Sequence, residues 1–258
     1  ESTQYTDPEI RRTSLAGVIL QMDVLGLPPI DRFPLIDPPS STLVNEGYKT
    51  LFDIGAIDAE RKLTNLGRDI ARFPADPHLA RMIVQAREEG ALAEVLVLVA
   101  FLSIQDVRER PTEKADLADQ AHAQWKDPKS DFITILNLWN AIEAERGQGG
   151  SHGKLRKFCK RNFVNYRRVM EWRNLWQELR NVDGASSSVG KNKTHRPNQT
   201  NLEASSTISH YDLIHRSLLA GLPANIGLKG EDREFTAARN RKFFIFPGSG
   251  LFKKPPEW

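Results

Sequence analysis

The sequence has almost no cysteine, since Cys159 is the only one among its 258 residues. One cysteine excludes a disulfide framework within the chain and argues against a zinc site built from cysteines. An apolar run of about 18 residues, the length that a membrane helix needs, is also missing. The longest apolar stretch, residues 91–104, contains Glu94 and Ser103 and is typical of a buried helix. The first residues are polar and acidic, unlike a signal peptide. We therefore expect a chain without a membrane partner in a reducing, cytoplasmic compartment.

The motifs of common catalytic sites are missing as well. The phosphate loop GxxxxGK followed by Ser or Thr does not occur, which argues against a P-loop NTPase site in these residues. The six histidines do not fall into HExxH or a comparable metal-ligand spacing. Gly248-Ser249-Gly250 lacks the GxSxG spacing of a nucleophile elbow. We therefore expect no catalytic residue, no metal site and no cofactor within this chain.

The residues that are present predict a mainly α fold that begins with a winged helix. Residues 1–72 contain two helical patterns, a stretch at 56–63 that fits a small two-stranded wing, and a short helix capped by Thr64. Thr6 and Glu9 fit a capping box at the start of the first helix. Helix, helix, wing and helix in this order are typical of a winged helix.

The rest of the chain predicts a helical bundle, a linker and part of a small β-barrel. Residues 73–182 form a helical bundle in this interpretation, and its fifth helix runs without a break from Lys154 to Arg180. Residues 183–207 have almost no large apolar side chains, which is typical of a linker or a disordered insertion. Residues 208–258 contain one helix and three short strand-like runs separated by glycine turns. They fit a partial barrel of the OB type, because a closed five-stranded barrel needs more chain.

Positive charge is concentrated in two places, although the net charge is only +3. The predicted fifth helix carries the basic residues Lys154, Arg156, Lys157, Lys160, Arg161, Arg167, Arg168, Arg173 and Arg180. The C-terminal residues add Arg239, Arg241, Lys242, Lys253 and Lys254. A dense row of cations is either a solvated surface or a contact for a polyanion, and composition alone leaves both open.

Aromatic side chains lie among the C-terminal cations, and this combination favours single-stranded nucleic acid. Small OB-type barrels hold a single strand with cations on its phosphates and aromatic rings on its bases. The aromatic residues here are Phe243, Phe244, Phe246 and Phe252. The Gly248-Ser249-Gly250 turn would let backbone N–H groups and a hydroxyl approach a phosphate. Trp172 and Trp176 are four residues apart on a helix, which favours a place in the core.

Five groups of residues, spread over nearly the whole chain, carry a family resemblance. They are residues 5–10 (YTDPEI) with 15–22, 63–68 (LTNLGR) with 73–77 (FPADP), 130–132 (SDF) with 136–139 (LNLW), 162–167 (NFVNYR), and 244–256 (FIFPGSGLFKKPP). Together they resemble the C-terminal region of the DEAH-box RNA helicases, most closely those of the bacterial HrpA type. Residues 183–207 do not match this pattern.

The resemblance implies the auxiliary region of an ATP-dependent RNA helicase. In that family two RecA-like motor domains precede this region and hold ATP, magnesium and the DEAH motif. The helical bundle is called the ratchet domain, and with the winged helix and the OB-fold it lines the channel for single-stranded RNA. The implied partners are single-stranded RNA, the helicase's own RecA-like domains and an activator protein on the OB-fold.

On this basis we expect RNA contacts from the bundle and from the barrel. The candidate RNA-binding residues are Asn165, Arg168, Arg173, Lys242, Ser249, Lys253 and Lys254. Arg167 and Arg168 project about 100° apart on a helix, so only one of them is expected to face the channel.

Two other functions remain open from the residues alone. The first 72 residues also fit a winged-helix regulator that binds DNA, with a helical effector domain behind it. Its candidate recognition helix, residues 42–54, contains Glu46 and Asp53 beside Lys49 and is hardly basic. The third possibility is a structural or partner-binding scaffold with a merely solvated basic stripe.

Overall fold

The structure, a computed structural model, describes residues 15–147, 152–187, 208–230 and 234–257. These residues form helices and one small three-stranded antiparallel sheet, which confirms the prediction of a mainly α chain. They divide into two compact units. The first unit comprises the described residues up to Gly90 together with His215–Pro223, and the second comprises Ala91–Ile214 and the residues from Ala224 onward.

Two helix boundaries of the first unit lie where local signals place them. The helices of this unit are α1 (Leu15–Val24), α2 (Ser41–Asp53), α3 (Asn65–Ile70) and α4 (Pro77–Glu89). The Thr64 hydroxyl accepts a hydrogen bond from the Gly67 N–H at 2.9 Å, which confirms the predicted cap of α3. Helix α4 ends at Gly90, whose φ of 79° is the left-handed conformation that closes many helices. The proposed capping box at Thr6 and Glu9 lies outside the described residues.

The wing between α2 and α3 is smaller than the sequence suggests. Ile57 and Leu63 form one isolated antiparallel bridge in place of two strands. The Asp58 carboxylate fixes the tip by accepting the N–H groups of Glu60 and Lys62 at 3.0 and 2.8 Å. A side-chain hydrogen-bonded turn therefore replaces most of the expected strand pairing.

The second unit is built around a buried tryptophan. Its helices are α5 (Leu92–Leu102), α6 (Ala115–Ala123), α7 (Asp131–Gly147), α8 (His152–Arg161) and α9 (Tyr166–Ser187). The Trp172 side chain of α9 is fully buried. Its ring centroid lies 4.9 Å from that of Phe101 and 4.8 Å from that of Trp139. Its Nε1 donates to the carbonyl of Val97 at 2.9 Å. One residue thus joins α5, α7 and α9, and the core position predicted for Trp172 is confirmed.

The uninterrupted fifth helix predicted from Lys154 to Arg180 is wrong, because the chain forms two helices there. Residues 162–165 separate α8 from α9. Phe163 adopts a φ of 53°, a left-handed conformation that ends α8. The Asn165 side chain then accepts the N–H of Arg168 at 3.1 Å and caps α9.

Backbone partners from a distant segment stabilise this break. The N–H of Glu109 donates to the carbonyl of Phe163 at 2.8 Å, and the N–H of Asn165 donates to the carbonyl of Val107 at 2.7 Å. An antiparallel bridge between Arg108 and Val164 lies between them. These bonds satisfy groups that a continuous helix would have paired internally.

The C-terminal residues add a helix and a three-stranded meander. The elements are α10 (His210–Gly221), β1 (Gly227–Lys229), β2 (Glu234–Ala237) and β3 (Arg241–Phe244). The strands pair antiparallel in the order β1-β2-β3, so all three strand predictions are confirmed. The carbonyl of Glu257 accepts the N–H of Lys229 at 2.8 Å, which places residue 257 beside β1. The OB-type barrel stays a prediction.

The region predicted as a linker is described only at its start. Helix α9 continues to Ser187, past the predicted linker start at residue 183. Residues 188–207 lie outside the described part of the chain.

Candidate nucleic-acid interface

Helix α8 carries the densest positive charge of the second unit. Its buried side is formed by Leu155, Phe158 and Cys159, which are at most 8% exposed. The opposite side is the α8 basic face, formed by the exposed residues Lys154, Arg156, Lys157, Lys160 and Arg161. Residues 152–161 include no acidic residue. No member of the face has an ion-pair partner among the residues that the structure describes, so its charge is uncompensated.

Two arginines of the α8 basic face are held over aromatic rings. The guanidinium carbon of Arg156 lies 4.9 Å from the centroid of the Tyr166 ring, and that of Arg161 lies 6.0 Å from the centroid of the Phe158 ring. Stacking of this kind restricts the side chain while its N–H donors stay available. Part of the face is therefore pre-organised to donate to the oxygens of an anion such as phosphate.

Two of the bundle residues predicted to bind RNA are engaged in contacts within the second unit. The Asn165 amide donates to a carboxylate oxygen of Glu109 at 2.7 Å. The Arg168 guanidinium donates to the backbone carbonyl of Asp106 at 2.9 Å. Both side chains are half-buried and hold the helix break in place. Their contact with RNA stays a prediction.

Arg173, the third bundle candidate, is buried. Its side chain is 9% exposed, and its Nε lies 2.7 Å from a carboxylate oxygen of Glu143 on α7. A buried ion pair of this type is costly to separate, because each charge would lose its partner away from water. The guanidinium is thus already paired with Glu143 in this structure.

An open groove follows the exposed side of α9. It has a volume of about 650 Å³. Its lining residues are Ser103, Ile104, Tyr166, Arg167, Met170, Glu171, Asn174, Leu175 and Glu178. Arg167 is exposed here, whereas its neighbour Arg168 is half-buried, so the two side chains do face different surroundings. Glu171 and Glu178 repel phosphates, which makes the groove a poorer polyanion site than the α8 basic face.

The candidate RNA-binding residues of the predicted barrel differ in whether their side chains already have partners within the chain. The Lys242 ammonium lies 2.8 Å from a carboxylate oxygen of Glu234, with its side chain 65% exposed. Ser249 is 8% exposed, and its hydroxyl accepts the N–H of Leu251 at 3.1 Å. Lys253 and Lys254 are exposed and have no ion-pair partner within the described ranges. These two lysines are therefore the candidates best placed to meet phosphates.

The Gly248-Ser249-Gly250 turn is docked on the segment that leads into α7. The Gly250 N–H donates to the Asp131 carboxylate at 2.9 Å, and the Lys126 ammonium donates to the Gly248 carbonyl at 3.2 Å. A Cβ on Gly250 would lie 2.3 Å from the Asp127 carbonyl oxygen. Gly250 is thus required by close approach to the protein's own backbone. The expectation that its N–H is open to phosphate is wrong.

This docking connects the C-terminal lysines with α8 through the 125–131 segment. The ring centroids of Trp125 and Phe158 are 6.2 Å apart. Lys126, the residue after Trp125, holds the turn that precedes Lys253. Sequence reasoning missed this junction, because the residues lie far apart in the chain and no motif marks their contact.

The outer face of the sheet combines an exposed aromatic ring with a cation. In the antiparallel register Leu228 pairs with Thr236, which pairs with Lys242. Phe244 lies two residues after Lys242 and shares its face of the strand. Phe244 is 66% exposed, and Phe246 just beyond the strand is 75% exposed. Exposed rings beside cations are the features that single-strand binding proteins use.

The comparisons with known proteins agree with this architecture. Residues 48–75 match the model of the helicase associated domain (HA2), winged-helix, and residues 76–135 match that of the helicase associated domain (HA2), ratchet-like. The chain is 41% identical, over 99% of its length, to the ATP-dependent RNA helicase HrpA of Escherichia coli and to its Haemophilus influenzae homolog. It is an HA2 region of the HrpA type. This confirms the resemblance seen in the sequence and the winged-helix and ratchet fold.

The HA2 region corresponds to a small part of its relatives. It spans 19% of the length of the two bacterial proteins. It is also 27% identical, over 99% of its own length, to the probable ATP-dependent RNA helicase DHX35 of Homo sapiens, and it spans 34% of that protein. The α8 basic face lies beyond residue 135, where the match to the ratchet-like model ends.

Two further properties of the described residues bear on function. None of their helices is both long enough and apolar enough to cross a lipid bilayer. Within the same residues, His, Cys, Asp and Glu side chains do not gather in groups of three or more that could hold a metal ion.

The buried Cys159 thiol of the HA2 region is expected to be unreactive. Burial raises its pKa to about 11. At pH 8 roughly one molecule in a thousand then carries the nucleophilic thiolate. We predict that iodoacetamide labels the folded chain at pH 8 at least about 100-fold more slowly than the urea-unfolded chain. Equal rates, followed by mass spectrometry, would show that the thiol is accessible.

Proposed function

We propose that this HA2 region is the auxiliary part of an ATP-dependent RNA helicase, where it binds single-stranded RNA and couples it to RecA-like motor domains. The support is its 41% identity, over 99% of its length, to proteins named ATP-dependent RNA helicases. The proposal places the protein in the cytoplasm. Lining of an RNA channel by the winged helix, the ratchet and an OB-fold belongs to the same proposal.

The proposal places ATP and magnesium outside the residues of this chain. The sequence contains no phosphate loop of the P-loop type, and its described residues form no cluster suited to a metal ion. We therefore assign both to motor domains outside these residues. The purified chain is expected to hydrolyse no ATP, and turnover by this chain alone would contradict the proposal.

The observation that carries the proposal is the presence of both exposed cations and exposed aromatic rings in the C-terminal residues. Lys253 and Lys254 are exposed and unpaired within the described residues. Phe244 and Phe246 expose most of their rings in the same segment. Cations suit the phosphates of a single strand and flat rings suit its unpaired bases, without preference for sequence.

The double variant Lys253→Glu/Lys254→Glu is expected to bind labelled single-stranded RNA at least tenfold more weakly in fluorescence anisotropy. Loss of two phosphate contacts should also reduce the slope of log K against log salt by about 1.4. The matched control is Lys49→Glu/Lys62→Glu on exposed positions of the first unit, which changes the net charge equally. An equal loss of affinity in both variants would point to net charge alone.

The same titration separates the proposal from its alternatives. A merely solvated scaffold predicts no salt-dependent binding to any nucleic acid. A DNA-binding regulator predicts a preference for one duplex DNA sequence over single-stranded RNA. The RecA-like domains, and an activator protein on the C-terminal barrel, are the further partners that we propose.

A further inference from the structure

We propose that the α8 basic face binds the sugar–phosphate backbone of duplex RNA, at a site separate from the C-terminal single-strand surface. The inference goes beyond the function proposed above. It does not depend on whether Lys253 and Lys254 bind RNA, so each proposal can fail alone.

The arrangement of the α8 basic face suits a regular row of phosphates. At 100° per residue its cations cover the side of the helix opposite Leu155, Phe158 and Cys159. At a rise of 1.5 Å per residue, Lys154 and Arg161 are about 10 Å apart along the axis. A duplex presents about six phosphates over that length at the charge spacing of B-form DNA. The face can therefore contact several phosphates at once.

The lack of ion-pair partners for this face among the described residues points to an external anion. Residues 152–161 contain no Asp or Glu, and the described residues offer the five cations no ion pair. Some cations elsewhere in the second unit do have carboxylate partners, as Arg173 has Glu143 and Arg110 has Asp119. Uncompensated like charges on one short helix repel each other, and a polyanion removes that repulsion.

The lack of exposed rings on this face favours a duplex over a single strand. Phe158 is the only Phe, Tyr or Trp of α8 and is 8% exposed, while the Tyr166 ring lies under Arg156. A single strand is held largely by stacking of its bases, which this face does not offer. In a duplex the bases are already stacked, and proteins recognise it through its shape, phosphates and 2′-hydroxyls.

The face is also held rigidly, which lowers the entropy lost on binding. Three of its neighbours on α8 are buried, and the Asn162 side chain that follows accepts an N–H of Gln124 at 3.1 Å. The N–H of Val164 donates to the Cys159 carbonyl at 2.9 Å and closes the helix. Arg156 and Arg161 are further restrained by their stacking contacts.

The test compares two charge-reversal variants on two probes. The complete 258-residue chain is titrated by anisotropy with a blunt-ended RNA duplex of about 16 base pairs, and with a single strand of equal length. For Lys157→Glu/Arg161→Glu we expect at least tenfold weaker duplex binding. The salt slope should fall by about 1.8, the value for two lost duplex contacts. Single-strand affinity should change by less than twofold.

The control variant Lys253→Glu/Lys254→Glu should leave duplex binding within twofold of the wild type. Unchanged duplex affinity in the α8 variant would overturn the proposal, and so would equal losses on both probes. Polyglutamate that displaces the duplex at equal charge concentration would show an acidic protein partner instead. Thermal melting checks that the variants are folded, and Lys157→Gln/Arg161→Gln, with half the charge change, repeats the test if reversal lowers the melting temperature.

Discussion

Replacement of Trp172 by alanine is expected to lower the free energy of unfolding of the second unit by about 4 kcal/mol. The side chain is fully buried, and it packs on the rings of Phe101 and Trp139. Its removal leaves a cavity between α5, α7 and α9, and it removes the side-chain hydrogen bond to the Val97 carbonyl. Urea unfolding followed by far-ultraviolet circular dichroism measures the loss.

The matched control for this variant is Trp176→Ala, one helical turn further along α9. The Trp176 ring lies 5.3 Å from that of Trp139 and is covered by the Arg180 guanidinium at 5.4 Å. It is only half-buried, so its removal leaves a partly solvated site and less of a cavity. We expect a loss of about 1–2 kcal/mol. Equal losses for both variants would contradict the central position given to Trp172.

The variant Gly250→Ala is expected to detach the C-terminal turn from the second unit, with a local loss of about 2 kcal/mol. The new Cβ would lie 2.3 Å from the Asp127 carbonyl oxygen, which is far inside van der Waals contact. Relief of that clash requires the turn to move and to give up the bond from the Gly250 N–H to Asp131. Hydrogen exchange of the Leu251 amide should speed up accordingly.

The same movement of the turn is expected to change the RNA affinity of the Gly250→Ala variant. Lys253 and Lys254 lose their fixed position, so single-strand affinity should fall severalfold while duplex affinity is unchanged. Gly230→Ala is the control, because its added Cβ would meet the Glu234 carbonyl oxygen at an ordinary 3.5 Å. If the Gly250→Ala variant showed wild-type hydrogen exchange at the Leu251 amide and wild-type affinity for single-stranded RNA, the docking of the turn would be wrong.

Much of the fold could be predicted from the sequence, because many of its boundaries are set by local chemistry. The side chain of Thr64 caps α3, and Ser130 accepts the N–H of Ile133 at 3.3 Å at the start of α7. Gly90 ends α4 with a backbone conformation that other residues rarely adopt. Signals of this kind act within three or four residues, so they can be read directly from the chain.

The break between α8 and α9 could not be predicted in the same way. The apolar positions Cys159, Tyr166 and Val169 keep helical spacing across it, so periodicity indicates one helix. The groups that stabilise the break belong to Val107 and Glu109, more than fifty residues earlier in the chain. The competition between a continuous helix and hydrogen bonds to distant backbone groups is visible only in the folded structure.

For the candidate site, the sequence predicted which regions are basic but not which of their cations lack a partner. The sequence identified a basic bundle and a basic C-terminus, and both are present. It did not show which cations are free, because Glu143 lies 30 residues from the Arg173 that it pairs with. Arg173 and Lys157 look alike in the sequence, yet one is buried in an ion pair and the other is exposed.

The break also determines how mechanical force would travel through the second unit. The residues that directly follow α8 are joined to the 107–109 segment by backbone hydrogen bonds of 2.7 and 2.8 Å on either side of a single bridge. Tilting of α8 stretches these bonds, which resist elongation better than the flexible side-chain contacts of a surface helix. Tension on a polymer held at α8 therefore passes through main chain into the start of α9, six residues before Trp172. A nucleic acid bound at α8 would therefore transmit tension directly to the core of the second unit.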